Sequence, residues 1–321
     1  MDALPPRGDV GFRVVITGSY HAAMKLVALR ALVAAVEDGS LRGAARRLGL
    51  SQPALTKTIR ELERELSATL LSRTSRGVVP TAQGKALYEH AIKVSRELVA
   101  AVDEINQLGG QMVGELSIGA VPVAVMLLIP EALRTFGREF PAIRLRISEE
   151  LFPAQLQRLR SGEVDVAVGG VPEGLSSGEF VIEELMRTTM VVVVRKGSRY
   201  AGCRSLHELD AANWIYTAAS GDLGYAKLLF ERHGLQAPPV GAVVNSTLSL
   251  LSLVTTGDFV ALMPQQSMQH PLAAQYLVQV PVSQGGLPLT VGSIVRSDSV
   301  VSPVIRHFIA HLHRSAHHLV G

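Results

Sequence analysis

Between Ser40 and Thr81 the chain reads SLRGAARRLGLSQPALTKTIRELERELSATLLSRTSRGVVPT, and no other stretch restricts the fold as much. Its apolar residues recur at helical spacing in short segments, and a turn-rich hairpin closes it. A first helix precedes it, with Leu26, Leu29, Val33 and Val36 spaced by three and four and expected on one face. Gly39-Ser40 ends that helix, and Ser40 is placed to cap a second one whose Leu41, Ala44, Ala45 and Leu48 face inward. The small alanines let another helix cross closely. Gly49-Leu50 makes a turn, Ser51 caps a third helix, and Pro53 is tolerated in its first turn. Leu55, Ile59, Leu62 and Leu66 bury one stripe of it.

That arrangement leaves Gln52, Pro53, Thr56, Lys57 and Arg60 facing outward near the start of the third helix. In helix-turn-helix docking this end of the helix meets base edges in the major groove. Gln pairs bidentately with adenine, Thr offers a hydroxyl and a methyl, and Lys reaches guanine or a phosphate. Arg73 and Arg76 lie in the hairpin around a Ser75-Arg76-Gly77 turn, where a basic wing would grip the backbone beside the groove. Charge separates this reading from an ordinary solvated face. Residues 25–85 hold 11 Lys and Arg against 5 Asp and Glu, whereas residues 86–321 hold 18 against 21. Positive charge is therefore concentrated in one segment, as a footprint on a phosphate backbone requires.

The segment AARRLGLSQPALTKTIRELERELSATLLSRTSRGVVPTAQG resembles the DNA-binding domain of LysR-type transcriptional regulators. The resemblance is dense over some sixty residues. It includes the Ala-Ala pair, the Ser-Gln-Pro-Ala helix start, the Leu-Glu-x-x-Leu end, the wing Arg and the following Thr-x-x-Gly. It implies a winged helix-turn-helix over 25–81, with Gln52, Pro53 and Thr56 at base-reading positions; the capping Ser51 is counted with them as DNA-binding. Thr56 stands where many members have Ser, which keeps the hydroxyl.

From Ala82 to Leu108 there is no proline, and the single glycine, Gly84, is near the start. Leu87, Ala91, Val94, Leu98, Ala101, Ile105 and Leu108 are spaced alternately by four and three, an a/d seam for a helix pair. Glu89, Lys93, Arg96, Glu97, Asp103 and Glu104 lie off that seam. Two recognition helices reading DNA together must sit about 34 Å apart, which a rigid paired helix can set. A homodimer through 82–108 is the expectation. The resemblance implies that this linker helix pairs antiparallel, that the protein assembles as a homotetramer, and that RNA polymerase is a further partner.

Gly109-Gly110 and Gly114 break the helix, and strands then alternate with helices. Strands are expected at Leu116–Ala120, Ile143–Ile147, Val164–Val168, Met190–Val194, Trp214–Tyr216, Phe259–Met263 and Leu289–Val295. Helices are expected at Val125–Phe140, Ala154–Ser161, Leu223–His233, Thr247–Thr256 and from Pro303 to Arg314. Such alternation predicts an α/β domain of mostly parallel sheets with helices on both faces. PEALRTFGREFPAIRLRI and LQRLRSGEVDVAVGG are similar to the LysR-type effector domain. That similarity implies two Rossmann-like subdomains, like those of periplasmic binding proteins, one of 114–187 plus 289–321 and one of 188–288.

Ligands of such sheets sit beyond the carboxyl ends of the strands, here between the lobes. The loops at those ends hold Val121, Pro122, Val123, Leu151, Phe152, Gly169, Gly170, Ser220, Gly221, Asn245, Ser246 and Met263 as effector-contact candidates. Many family members place Ser or Thr before the Pro where this chain has Val121. The pocket is therefore more apolar there, or anchored by Ser220, Asn245 and Ser246. The effector is a small molecule of unspecified identity, and no cofactor is expected.

Other chemistries find little footing. G-x-G-x-x-G, G-x-S-x-G and a P-loop are absent, and RVVITGSYHAA from Arg13 lacks the later glycines of a nucleotide turn. His307, His311, His313, His317 and His318 share helical spacing, but no carboxylate or thiol lies nearby in sequence to complete a metal set. They read as a solvated helix end. Cys203 is the single cysteine and reads as an inert thiol. Without disulfides, a secretory segment or a long apolar run, a cytoplasmic location away from membranes is expected. Residues 1–24 read as a flexible extension, or as a start codon placed upstream of Met24. A solute-binding or enzymatic α/β protein with an incidental helical domain is the rival reading. The basic N-terminal unit and the heptad helix count against it.

Overall fold

The computed structural model describes residues 24–74, 77–171, 175, 178–217, 224–298 and 301–320. The chain divides into two compact units, one up to Ala100 and one from Ala101. The first contains helices α1 (Leu26–Asp38), α2 (Leu41–Arg47) and α3 (Gln52–Glu65) and strands β1 (Leu71–Thr74) and β2 (Gly77–Pro80). Helix α4 (Ala82–Leu108) begins in this unit and ends in the other.

The core of the first unit differs from the expected stripe on α1. Ala28, Leu29, Ala31, Leu32, Ala34 and Ala35 are buried, whereas Leu26 is exposed and Val33 only half-buried. Close helix crossing explains the exchange. Small residues face Ala44 and Ala45 of α2, and Leu55, Ile59 and Leu62 of α3 fill the remaining space. Each fully buried leucine contributes about 1.5–3 kcal/mol. Both expected caps form. Ser40 Oγ accepts from the Gly43 N–H at 3.3 Å and Ser51 Oγ from the Ala54 N–H at 3.3 Å. Gly49, at φ 67°, supplies the left-handed turn between α2 and α3.

The hairpin is tied to the helices by backbone and carboxylate contacts. Val78 N–H donates to the Gly39 carbonyl at 2.8 Å. Glu63 Oε1 accepts from the N–H groups of Leu70 and Leu71 at 2.8 and 3.2 Å. The Thr-x-x-Gly motif gains a physical meaning here. Thr81 Oγ1 donates to the Thr69 carbonyl at 2.6 Å and accepts from the Gly84 N–H at 3.0 Å. Gly84 itself lies against the Leu70 carbonyl.

The second unit runs β3 (Gly114–Ala120), α5 (Pro122–Leu127), α6 (Ile129–Glu139), β4 (Ile143–Glu149), α7 (Phe152–Arg160), β5 (Val166–Gly170) and β6 (Phe180–Arg195). It continues with β7 (Asn213–Thr217), α8 (Tyr225–Arg232), β8 (Val240–Val244), α9 (Thr247–Thr256), β9 (Phe259–Pro264), α10 (Pro271–Ala274) and β10 (Leu277–Gln279). It ends with β11 (Leu287–Arg296) and α11 (Pro303–Val320). The strand order is β4-β3-β5-β11-β6-β9-β7-β8, with β10 also on β6.

Two parallel triplets, β4-β3-β5 and β8-β7-β9, form two Rossmann-like lobes. The antiparallel pair β6 and β11 joins them. The sheet is thus mixed rather than mostly parallel. A chain that leaves one lobe and returns to it must run out and back, and β6 and β11 are those two passes. The Met190–Val194 run is central, between β9, β10 and β11, and Val191, Val192, Val193 and Val194 are buried.

Three further differences have local causes. The expected Val125–Phe140 helix is two helices that meet at Leu128, because Pro130 has no N–H to continue the ladder. Strand β8 is an edge strand with exposed Val240 and Val243, so it lacks the buried run that marks the others. Helix α11 extends to Val320 and packs on α6, burying Phe308, Leu312, Ser315 and Ala316. His311 lies on that buried face rather than on a solvated end.

Candidate nucleic-acid interface and effector cleft

The third helix of the first unit presents one polar face. Gln52, Pro53, Thr56, Lys57 and Arg60 line an open concavity of about 810 Å³, together with Glu61 and Arg64. The buried stripe at Leu55, Ile59 and Leu62 fixes which way this face turns. Ser51 caps the helix, so its N-terminal amides are oriented and only partly satisfied. The Thr56 hydroxyl donates to the Gln52 carbonyl at 2.8 Å, so its proton is engaged within the helix and its oxygen can still accept. Lys57 lies 3.9 Å from Glu61 one turn along, in a well-exposed pair of small energetic weight. Arg73 is exposed on β1 with no ion-pair partner among the described residues. Arg76 lies outside the described residues.

In the second unit, the carboxyl ends of the strands gather most of the expected effector contacts. Val121 caps α5 without a side-chain hydrogen bond and is buried with Pro122 and Val123. Gly169 passes directly beneath it, since a Cβ there would lie 2.4 Å from Val121 Cγ2. At Gly170 a Cβ would meet the Tyr225 hydroxyl at 2.8 Å and Leu289 at 2.9 Å. Both glycines therefore exist to admit side chains above β5. Leu151 caps α7, again without a side-chain bond, and Phe152 begins that helix half-buried. Ser246 caps α9 by accepting from the Ser249 N–H at 3.2 Å, and Asn245 beside it is exposed. Met263 is fully buried in β9, where it faces Val191 in register as part of the core. Ser220 and Gly221 lie outside the described residues.

Two family models cover the chain. Residues 26–85 match "Bacterial regulatory helix-turn-helix protein, lysR family" and residues 109–316 match "LysR substrate binding domain". The chain belongs to the LysR family of transcriptional regulators. Similar proteins include the HTH-type transcriptional regulator GbpR of Azospirillum brasilense, 30% identical over 241 residues, 74% of this chain and 70% of that protein. The HTH-type transcriptional regulator TdcA of Escherichia coli (strain K12) is 25% identical over 78% of this chain and 80% of its own. Among solved structures, full-length CbnR complexed with its target DNA aligns with TM-score 0.68 at 22% identity, covering 91% of this chain and 100% of that one.

As a LysR-family regulator, the protein joins a helix-turn-helix DNA-binding segment to an effector-binding domain and is not an enzyme. Three polar groups near these strand ends, Glu149, Thr247 and Tyr225, are not among the contacts expected from sequence. Glu149 Oε1, at the end of β4, accepts from the Thr247 N–H at 2.7 Å and from Thr247 Oγ1 at 2.5 Å. Tyr225 stands over Gly170, and burial pushes its phenol above the usual range. The signal for Glu149 was a carboxylate two residues past the expected end of its strand. Tyr225 gave the weaker signal of an aromatic in the first turn of a helix.

The remaining chemistry-bearing residues serve packing. His311 Nδ1 lies 2.7 Å from Thr135 Oγ1 and Nε2 lies 3.1 Å from Glu139 Oε2. Exposed His313 meets Glu183 instead, at 3.2 Å. The histidines thus do meet carboxylates, but separate ones, and no metal-holding group of three His, Cys, Asp or Glu occurs among the described residues. Burial first, and the Glu208 carboxylate second, push the Cys203 thiol up and away from reactivity. No described helix is long and apolar enough to cross a membrane.

Proposed function

We propose that α3 reads an operator through Gln52, Pro53, Thr56, Lys57 and Arg60 from its Ser51-capped end, while Arg73 and Arg76 of the wing hold the phosphate backbone. A small molecule then modulates that binding from the cleft between the two C-terminal lobes, touching the Val121, Leu151, Gly169 and Ser246 ends of the strands. The observation that carries this is the open concavity along α3, whose lining includes cationic Lys57, Arg60 and Arg64 beside Gln52 and Thr56. Cations beside hydrogen-bonding groups suit combined phosphate and base contact.

The protein acts as a homodimer through the 82–108 helix, assembled further into a homotetramer, in the cytoplasm and within reach of RNA polymerase. Exposed Val94, Leu98, Ile105 and Leu108 on α4 support the pairing. A ligand shifts such an assembly only by binding two lobe arrangements unequally. Retention of the full-length protein on duplex fragments from its own genomic neighbourhood tests the reading. A shifted band at low salt that survives excess scrambled duplex is the expected result. No retention of any fragment in dilute buffer overturns it.

A further inference from the structure

Three helices start at the cleft with apolar or hydroxyl caps. Val121 before α5 and Leu151 before α7 offer no polar side chain, while α9 is capped by Ser246. Among the described residues, of these three starts α9 is the one whose first amide is met by a carboxylate, and that carboxylate comes from the other lobe. Glu149 ends β4 of the first lobe, and both Thr247 donors of the second lobe converge on its Oε1. Thr247 Oγ1 also stands 3.4 Å from the Pro122 carbonyl at the start of α5. Three chain segments from the two lobes therefore meet at one residue. A carboxylate at a helix N-terminus is favoured by the unpaired amides and by the helix dipole.

We propose that Glu149 is a positioning residue of the cleft. It fills the anion position at the start of α9 with the chain's own carboxylate, and so ties the lobes together before any ligand arrives. This rests on the effector reading above and narrows it. The α9 end of the cleft is closed to a ligand carboxylate, and buried Val121 withholds a hydroxyl at the α5 end. The effector is accordingly a molecule recognised through its apolar body rather than through a carboxylate at these two helix ends.

Hydrogen exchange on the full-length protein tests this through the Thr247 amide. E149A removes the acceptor, and exchange at Thr247 is expected to rise roughly tenfold or more, as loss of a charge-assisted bond allows. The α5 segment that meets Thr247 loosens with it. Formate, supplied at roughly 100 mM to exceed the millimolar effective concentration of a tethered group, then restores protection in E149A and leaves the wild type unchanged. A side chain that merely filled space would not be replaced by formate. Should E149A fail to fold, E149Q keeps the size and an acceptor oxygen but not the charge, and a smaller rise in Thr247 exchange with no response to formate is expected of it; unchanged exchange in E149Q then overturns the proposal. Unchanged Thr247 exchange in E149A, or equal formate protection of E149A and wild type, overturns the proposal. The measurement needs neither DNA nor effector, so failure to retain duplex DNA would sink the operator reading and leave the Glu149–Thr247 tie between the lobes standing.

Discussion

Gly84 in the first turn of α4 lies against the carbonyl of Leu70, so closely that a Cβ on it would stand 1.9 Å from that oxygen. The same carbonyl accepts the Thr81 N–H at 2.9 Å, so it cannot simply turn away. Helix propensity and packing therefore predict opposite signs for Gly84→Ala. Propensity alone would stabilise the helix by about 1 kcal/mol. The clash with backbone outweighs it, and a net loss of about 1–3 kcal/mol is expected. Urea denaturation of variant and wild type decides, and any gain in stability would contradict the close approach.

The wing arginine is separable from the recognition helix by salt. Arg73→Ala removes an exposed cation that has no ion-pair partner among the described residues, so affinity should fall by a similar factor for every duplex tested. The slope of log affinity against log salt should flatten by about 0.9, the share of one phosphate contact. Gln52→Ala should instead relax preference at one base position, at a cost of about 1–3 kcal/mol on the preferred sequence. Binding titrations across a salt series on matched and scrambled duplexes distinguish the two. An unchanged slope for Arg73→Ala would remove the wing from the interface.

Legibility in the sequence followed locality. The caps Ser40 and Ser51, the α3 stripe and the length of α4 all depend on neighbours within a few residues, and all were readable. The α1 face was misread because large residues were favoured over alanines. Only the identity of the crossing helix reveals that Ala28, Ala31 and Ala35 face inward. Strand direction was misjudged for a similar reason, since β6 and β11 are far apart in sequence and pair along most of their length. Glu149 escaped because its partner Thr247 is 98 residues away, and no local pattern marks a contact between lobes.

The buried His311 predicts a pH dependence of stability. Burial, then the Arg314 charge, lower its pKa below 6.5, and the Glu139 carboxylate only partly offsets them. Above pH 6.5 both folded and unfolded chains hold it neutral, and its contribution is fully present. As pH falls below that value the unfolded imidazole takes a proton before the folded one, so stability declines until the folded pKa is passed. His311→Gln should flatten that decline while keeping a polar contact near Thr135. Denaturant midpoints measured at several pH values across this window check it, and an equal decline in both proteins would place the titration elsewhere.

The heptad seam of α4 divides into two parts with different fates. Leu87 packs on the helical core of the first unit and Ala91 is fully buried, so neither is available to a partner. From Val94 onward the seam is open, with Leu98 at 45% exposure and Ile105 at 69%. Exposed leucine and isoleucine at a/d spacing, with Glu97 and Glu104 flanking them, are what a second helix would cover. Leu98→Glu puts a charge at the seam in both chains of a pair. Two such losses at about 1.5–3 kcal/mol each weaken association by roughly a hundredfold or more. Light scattering should then show lower mass at unchanged helix content, and operator affinity should fall with it because two half-sites are no longer held together. Unchanged mass in Leu98→Glu would mean that another surface assembles the protein and that α4 serves only as a spacer.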